Sequence, residues 1–242
     1  MIRVRISDPM EVGAVLSLDP EQSHHLSSVL RVRPGDRVTA LTAGGARWIC
    51  EVTASSVPVE LTVRELDDGP DANPQGALEM ALPLLKGGRT DDLVRQLTEL
   101  GATSILVYTS QRSVARLESA RADKKLARWR TIAEEATRQC GRTDTPTVGF
   151  HPGLPPGGPH HVFLWEEAPT GPRAREVMSS RAEQGALTVL VGPEGGLAPE
   201  EASTLREGGW SQASLGARTL RAETAAVTAC VLALVALGER GY

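Results

Sequence analysis

Aromatic side chains are scarce in this 242-residue chain, 3% of the whole, and cysteine occurs three times. Cys50, Cys140 and Cys230 are far apart and odd in number. That spacing excludes a disulfide framework and a Cys-x-x-Cys metal site, so buried reduced thiols are expected. Long apolar runs are missing as well, none reaching the roughly 18–20 residues needed to span a bilayer. The first residues, Met1-Ile2-Arg3-Val4-Arg5-Ile6-Ser7-Asp8, lack the apolar block of a signal peptide. A cytoplasmic chain without membrane contact is expected. Positive charge is in no excess: 26 Lys and Arg against 30 Asp and Glu give a net charge of -4. That balance does not by itself suggest a nucleic-acid binder, and any nucleic-acid surface must be local.

Against these absences stands an apolar fraction of 40%, enough for a core in two modest domains or one large one. Up to about residue 68 the chain reads as β-rich. Val4-Arg5-Ile6, Val38 to Leu41, Trp48 to Val52 and Val59 to Val63, punctuated by Pro34-Gly35-Asp36 and Gly44-Gly45, predict a small barrel. Glu21 to Leu30 reads as a helix with Leu26, Val29 and Leu30 on one apolar face. Asp67 to Pro74 mixes charge, glycine and proline, the composition of a linker. Beyond it apolar runs alternate with amphipathic segments. Strands are expected at Leu78 to Leu85, Ser104 to Tyr108, Val162 to Trp165 and Leu187 to Val191. Helices are expected at Asp91 to Leu100, Glu118 to Gln139, Arg173 to Glu183, Pro199 to Glu207 and Glu223 to Leu237. Such alternation implies an α/β domain with a mainly parallel sheet covered on both faces. The last helix is apolar nearly all round and must be buried, in the core or across a subunit interface.

Two glycine loops stand near the C-terminus, Val191-Gly192-Pro193-Glu194-Gly195-Gly196 and Ser214 to Ala225. Each follows a short apolar run and leads into a helix, the arrangement by which a parallel sheet builds a small-molecule site at its strand ends. Neither has the spacing of a phosphate loop or of a dinucleotide fingerprint. Two basic patches accompany them: Arg31, Arg33 and Arg37, and the segment from Arg116 to Arg142, which holds eight Lys or Arg against four Asp or Glu. The adjacent pairs His24-His25 and His160-His161 point different ways and lack a third ligand at regular spacing, so no metal is expected.

The chain resembles the ribosomal RNA uridine-N3 methyltransferases that modify small-subunit RNA, within the knotted SPOUT superfamily. The resemblance is carried by His25 to Arg31, Gln96 to Gly101, Gln111 to Val114, Arg128-Trp129, Glu134 to Ala136, and Gln139 with Arg142 and Pro146. It continues through Val191 to Gly196 and Leu215 to Ala225. It implies a PUA-like RNA-binding β-barrel over residues 1–70 and a trefoil-knotted α/β methyltransferase domain over residues 75–242. S-adenosylmethionine is the implied cofactor, no metal is required, and the implied partners are 16S ribosomal RNA in the small ribosomal subunit and a second copy of the chain in a homodimer.

By the same resemblance the cofactor should sit among Leu164, Trp165, Gly192, Glu194, Gly195, Gly196, Leu215, Gly216, Leu220 and Arg221. Arg221 is the expected catalytic cation, steadying charge on the uracil oxygens, with Glu223 as its orienting partner or as the base. Arg31, Arg33, Arg112, Arg138 and Arg142 are the expected RNA contacts, because arginine forks match phosphate oxygens, and Gln139 is placed to bond a base or ribose. The chain departs from the family at Met1 to Val4, where an aromatic is usual, and at Lys86-Gly87-Gly88-Arg89, where Lys-x-Asp/Glu-Lys is usual. It also has Cys140 for a common Ser and Ala222 for a common Thr. Two other readings stay open: a noncatalytic RNA-binding protein that keeps the fold, and a relative acting on a ribose 2′-hydroxyl or on transfer RNA.

Overall fold

The computed structural model describes residues 2–6, 11–42, 46–67, 76–113, 119–168, 170–182 and 184–239. Gly44-Gly45, nearly all of the expected linker, Val114, Arg116 and Glu118 lie outside them. The chain divides into two compact units, Met1–Asn73 with Thr137–Asp144, and Pro74–Ala136 with Thr145–Tyr242.

The first unit is built on a mixed, curled five-stranded sheet, a half-barrel. Its strands are β1 (Ile2–Ile6), β2 (Val15–Ser17), β3 (Arg37–Thr42), β4 (Arg47–Ala54) and β5 (Glu60–Leu66), in the order β1-β3-β4-β5-β2. Only the β1–β3 pairing is parallel. Alternate residues of the central strands, Val38, Ala40, Cys50, Val52, Leu61 and Val63, point inward and are buried with Val4 and Leu26. Burial pushes the Cys50 thiol up to about 11, so this cysteine is an inert packing group. The expected helix is two pieces. Helix α1 (Pro20–His24) is capped by the Asp19 carboxylate, and a π-helical turn over His25–Leu30 follows it. The wider turn breaks the expected apolar stripe: Leu26 is 1% exposed, whereas Val29 is 62% and Leu30 43% exposed. Full burial of a leucine such as Leu26 contributes about 2 kcal/mol.

The second unit has a six-stranded, wholly parallel sheet in the order β11-β9-β10-β6-β7-β8. The strands are β6 (Ala77–Pro83), β7 (Ser104–Tyr108), β8 (Thr147–His151), β9 (His161–Leu164), β10 (Ala186–Leu190) and β11 (Ser211–Ala213). The helices are α2 (Arg89–Leu100), α3 (Ser119–Cys140), of which the residues up to Ala136 belong to this unit, α4 (Ala174–Arg181), α5 (Pro199–Glu207) and α6 (Ala222–Ala236). Leu78, Met80 and Leu82 of β6 pack with α2, α4 and α6, whereas Ala81, Phe163 and Leu190 pack with α5 on the other face. Both faces of the sheet are therefore covered, as parallel sheets require. Asp91 in the first turn of α2 accepts from Arg128 Nε at 2.8 Å and from the buried Trp129 Nε1 at 2.9 Å, tying α2 to α3. Helix α6 buries Ala226, Ala229, Cys230, Ala233 and Leu234, but Val235 remains 41% exposed. Among the described residues no helix is long and apolar enough to cross a membrane.

Candidate active site

The chain advances from β6 through β7 to β8 on one side of the sheet, then returns to place β10 against β6 and β9 beyond it. Ligands of open α/β sheets bind at such a reversal, outside the carboxyl ends of the strands. Three loops meet there. Trp165 and Glu166 follow β9, Val191 to Ala198 follow β10, and Ser214 to Arg221 follow β11. Backbone bonds set their starts: Trp165 N–H donates to Ala213 O at 3.1 Å, and Val191 N–H to Ala81 O at 3.0 Å. The buried Tyr108 hydroxyl donates to Val191 O at 2.8 Å, fixing the entry to the first glycine loop.

That loop turns tightly, Gly196 N–H donating to Pro193 O at 2.9 Å. Gly196 has a φ of +72°, a conformation that favours glycine, and the Glu166 carboxylate occupies the place where a Cβ would stand. Glu201, at the third position of α5, is 5% exposed and accepts from Ala198 N–H at 2.9 Å and Gln111 N–H at 2.8 Å. One carboxylate thus holds the loop exit and the turn after β7. On the rim, Arg112 donates to Gly195 O at 3.3 Å and pairs with Glu167 at 3.5 Å. Burial raises the Glu166 carboxyl above its ordinary value; a neighbouring Glu167 adds to this, while bonds from the Glu166 and Leu197 N–H groups and the Arg112 charge oppose it.

The cleft between these loops is lined by eight of the ten expected cofactor residues: Leu164, Trp165, Gly192, Glu194, Gly196, Leu215, Gly216 and Leu220. Gly195 and Arg221 do not line it. Gly195 backs onto Arg112, and Arg221 is the exposed N-cap residue of α6. Glu166, Val191, Pro193, Ser214, Arg218, Thr219, Ala222 and Ala225 complete the lining, none of them singled out from sequence as a cofactor residue. For most, adjacency to a glycine loop was the available signal. Glu223 stands in the first turn of α6, its Oε1 paired with Arg89 at 3.2 Å and its Oε2 buried without a hydrogen-bond partner among the described residues.

Of the expected RNA contacts, Arg31, Arg33, Arg112, Arg138 and Gln139 are exposed. Arg31 ends the π-helical turn in the left-handed region, with a φ of 54°. Arg142 is a correction. Its side chain is 1% exposed and its guanidinium is paired with Asp144 at 2.7 Å, so it is an internal ion pair and presents no fork to a phosphate.

The parallel sheet, the strand-end cleft and the glycine loops define a methyltransferase acting on RNA once set beside known proteins. A family model described as RNA methyltransferase domain matches residues 71–234, and one described as RNA methyltransferase PUA domain matches residues 18–57. The ribosomal RNA small subunit methyltransferase E of Mycobacterium tuberculosis is 32% identical over 230 residues, covering 90% of this chain and 86% of that protein. Its Bacillus subtilis counterpart is 30% identical over 226 residues, with 89% and 88% covered. The crystal structure of the Neisseria gonorrhoeae enzyme of that name, bound to S-adenosyl methionine, superposes with a TM-score of 0.78 at 27% identity, covering 96% of this chain and 95% of that one. The chain belongs to this RNA methyltransferase family, that of the ribosomal RNA small subunit methyltransferase E proteins.

Proposed function

We propose that this chain transfers the methyl group of S-adenosylmethionine to N3 of a uridine in 16S ribosomal RNA, in the decoding region of the small subunit. The observation that carries this reading is the convergence of three loops, distant in sequence, on one cleft lined by eight residues expected to hold that cofactor. The lining suits it. Leu164, Val191, Leu215 and Leu220 offer apolar walls to an adenine, and glycine at 192, 196 and 216 opens backbone groups to close approach. The cofactor supplies an electrophilic methyl on a sulfonium, so the protein's task is alignment and management of one proton.

The uracil N3 proton must leave for N3 to act as a nucleophile. Glu223 is the group we assign to take it: Oε1 is anchored by Arg89, and the buried Oε2 has no hydrogen-bond partner among the described residues. Arg221, exposed two residues earlier, is the cation we assign to the charge developing on the uracil oxygens. Arg31, Arg33, Arg112, Arg138 and Gln139 are the contacts assigned to RNA, chiefly through phosphate. The knotted threading of the second unit and a homodimer belong to the same reading, supported by family membership and by the partly uncovered apolar face of α6.

The test is transfer of labelled methyl to small ribosomal subunits lacking the modification, with the product mapped by mass spectrometry. 3-Methyluridine in the decoding region is expected. A methyl on a ribose or on another RNA would overturn the substrate assignment, and absence of cofactor binding would overturn the whole reading. Subunit binding should weaken steeply with salt, as phosphate contacts dictate.

A further inference from the structure

In the sequence Arg89 stands out only as the basic end of Lys86-Gly87-Gly88-Arg89. In the structure it opens α2, and its guanidinium grips three separate segments. Nε donates to Lys86 O at 3.1 Å, Nη2 meets Glu194 Oε1 at 2.8 Å, and Nη1 meets Glu223 Oε1 at 3.2 Å. Glu194 belongs to the glycine loop after β10, and Glu223 lies in the first turn of α6, 134 residues from Arg89. One cation thus joins two of the segments that wall the cleft. Its approach depends on Gly87 and Gly88, whose φ values of +66° and +83° turn the chain sharply between β6 and α2. Two carboxylates held against one guanidinium would repel each other without it.

We propose that Arg89 is a positioning residue of the methyl-transfer site, fixing the Glu194 wall of the cleft and the Glu223 carboxylate in a single geometry. The proposal rests on the cofactor reading above. Arg89 touches no reacting group in that scheme and acts through the two acids. The guanidinium suits the task because its planar fork carries separate N–H ends for two acceptors, whereas an ammonium keeps the charge and loses the fork. Its side chain is 40% exposed, so solvent screens the bridge and its value lies in geometry more than in bulk stability.

The experiment compares the parent chain with Arg89→Ala and Arg89→Lys. S-adenosylmethionine affinity is measured by calorimetry, turnover at saturating cofactor on small subunits, and Tm by thermal unfolding. Arg89→Ala should weaken cofactor binding about tenfold and cut turnover by a further factor on the order of 100, with Tm displaced by only a few degrees. Arg89→Lys, which keeps the charge and loses the fork, should recover only a small part of both losses. Parent-like affinity and turnover in Arg89→Ala overturn the proposal. So does full recovery by lysine, which would make charge and not the fork the cause, or a loss explained by collapse of Tm. A parent chain that binds no S-adenosylmethionine overturns the cofactor reading itself, a distinct result.

Discussion

In the β9–β10–β11 half of the parallel sheet, β10 and β11 run out into glycine loops that line the cleft, whereas in the β6–β7–β8 half β6 and β7 run out into segments that carry arginines. Arg89 after β6 and Arg112 after β7 both reach across to the glycine loop, at Glu194 and at Gly195. Identical strand geometry therefore yields different products at its two ends. Glycine provides space and unusual dihedrals but cannot hold itself in place, because it has no side chain to pack or pair. The neighbouring half supplies grip through two arginines and through the Gln111 N–H, which donates to Glu201 of α5. Within this sheet the shape of the site and its rigidity come from different segments.

That division can be broken from either side. The largest effect should come from the glycine half: Gly196→Val adds a Cβ against the Glu166 carboxylate at a φ of +72°. Stability should fall by about 1–3 kcal/mol, and calorimetry should register at least a tenfold loss of cofactor affinity. On the other half, Trp129→Phe removes the Nε1 bond to Asp91 and leaves a carboxylate oxygen short of a donor. Denaturant unfolding should show a loss of about 1–2 kcal/mol with cofactor affinity unchanged, because the bond ties α2 to α3 and not to the cleft. A comparable loss of affinity in that variant would erase the distinction between the halves.

Smaller still is Arg112→Ala, whose contacts are long and whose side chain is 42% exposed. Less than about 1 kcal/mol should be lost in cofactor binding, while affinity for the small subunit at low salt should drop if Arg112 meets phosphate. The smallest effect is a pH dependence. Burial raises the Glu166 carboxyl from its ordinary 4.5, so the folded state holds this proton more tightly than the unfolded one. Its contribution is fully present below pH 4.5 and is lost as pH rises through the higher folded value. Denaturation curves from pH 4 upward should show this decline in the parent and its absence in Glu166→Gln.

Much of the architecture was legible because it rests on local patterns. The apolar runs of β6, β7, β9 and β10 and the periodicity of α2, α5 and α6 were read within a few residues of their observed limits. Strands β2, β8 and β11 were not foreseen. Ser211-Gln212-Ala213 has no apolar run and becomes a strand only by pairing with Val162 to Leu164, while Thr147 to His151 is interrupted by Gly149. The π-helical turn escaped notice because Leu26, Val29 and Leu30 fit an α-helical stripe, which the wider turn then splits. Arg142 read as part of a basic run, yet lies buried against Asp144. Charge is visible in a sequence; burial is not.

The sequence by itself determined where this chain turns, which segments alternate through a parallel sheet, and that two glycine loops follow apolar runs near its C-terminus. Those features follow from dihedral freedom and hydrophobic period, properties a residue carries with it. Tertiary structure alone decided which charges meet. The Arg89 bridge to Glu194 and Glu223, the grip of Glu201 on the turn after β7, and the seat of Glu166 over Gly196 join residues tens to more than a hundred positions apart. Ion pairs and hydrogen bonds act over a few ångströms of space, and no local pattern records which distant acid a folded chain will deliver to which base.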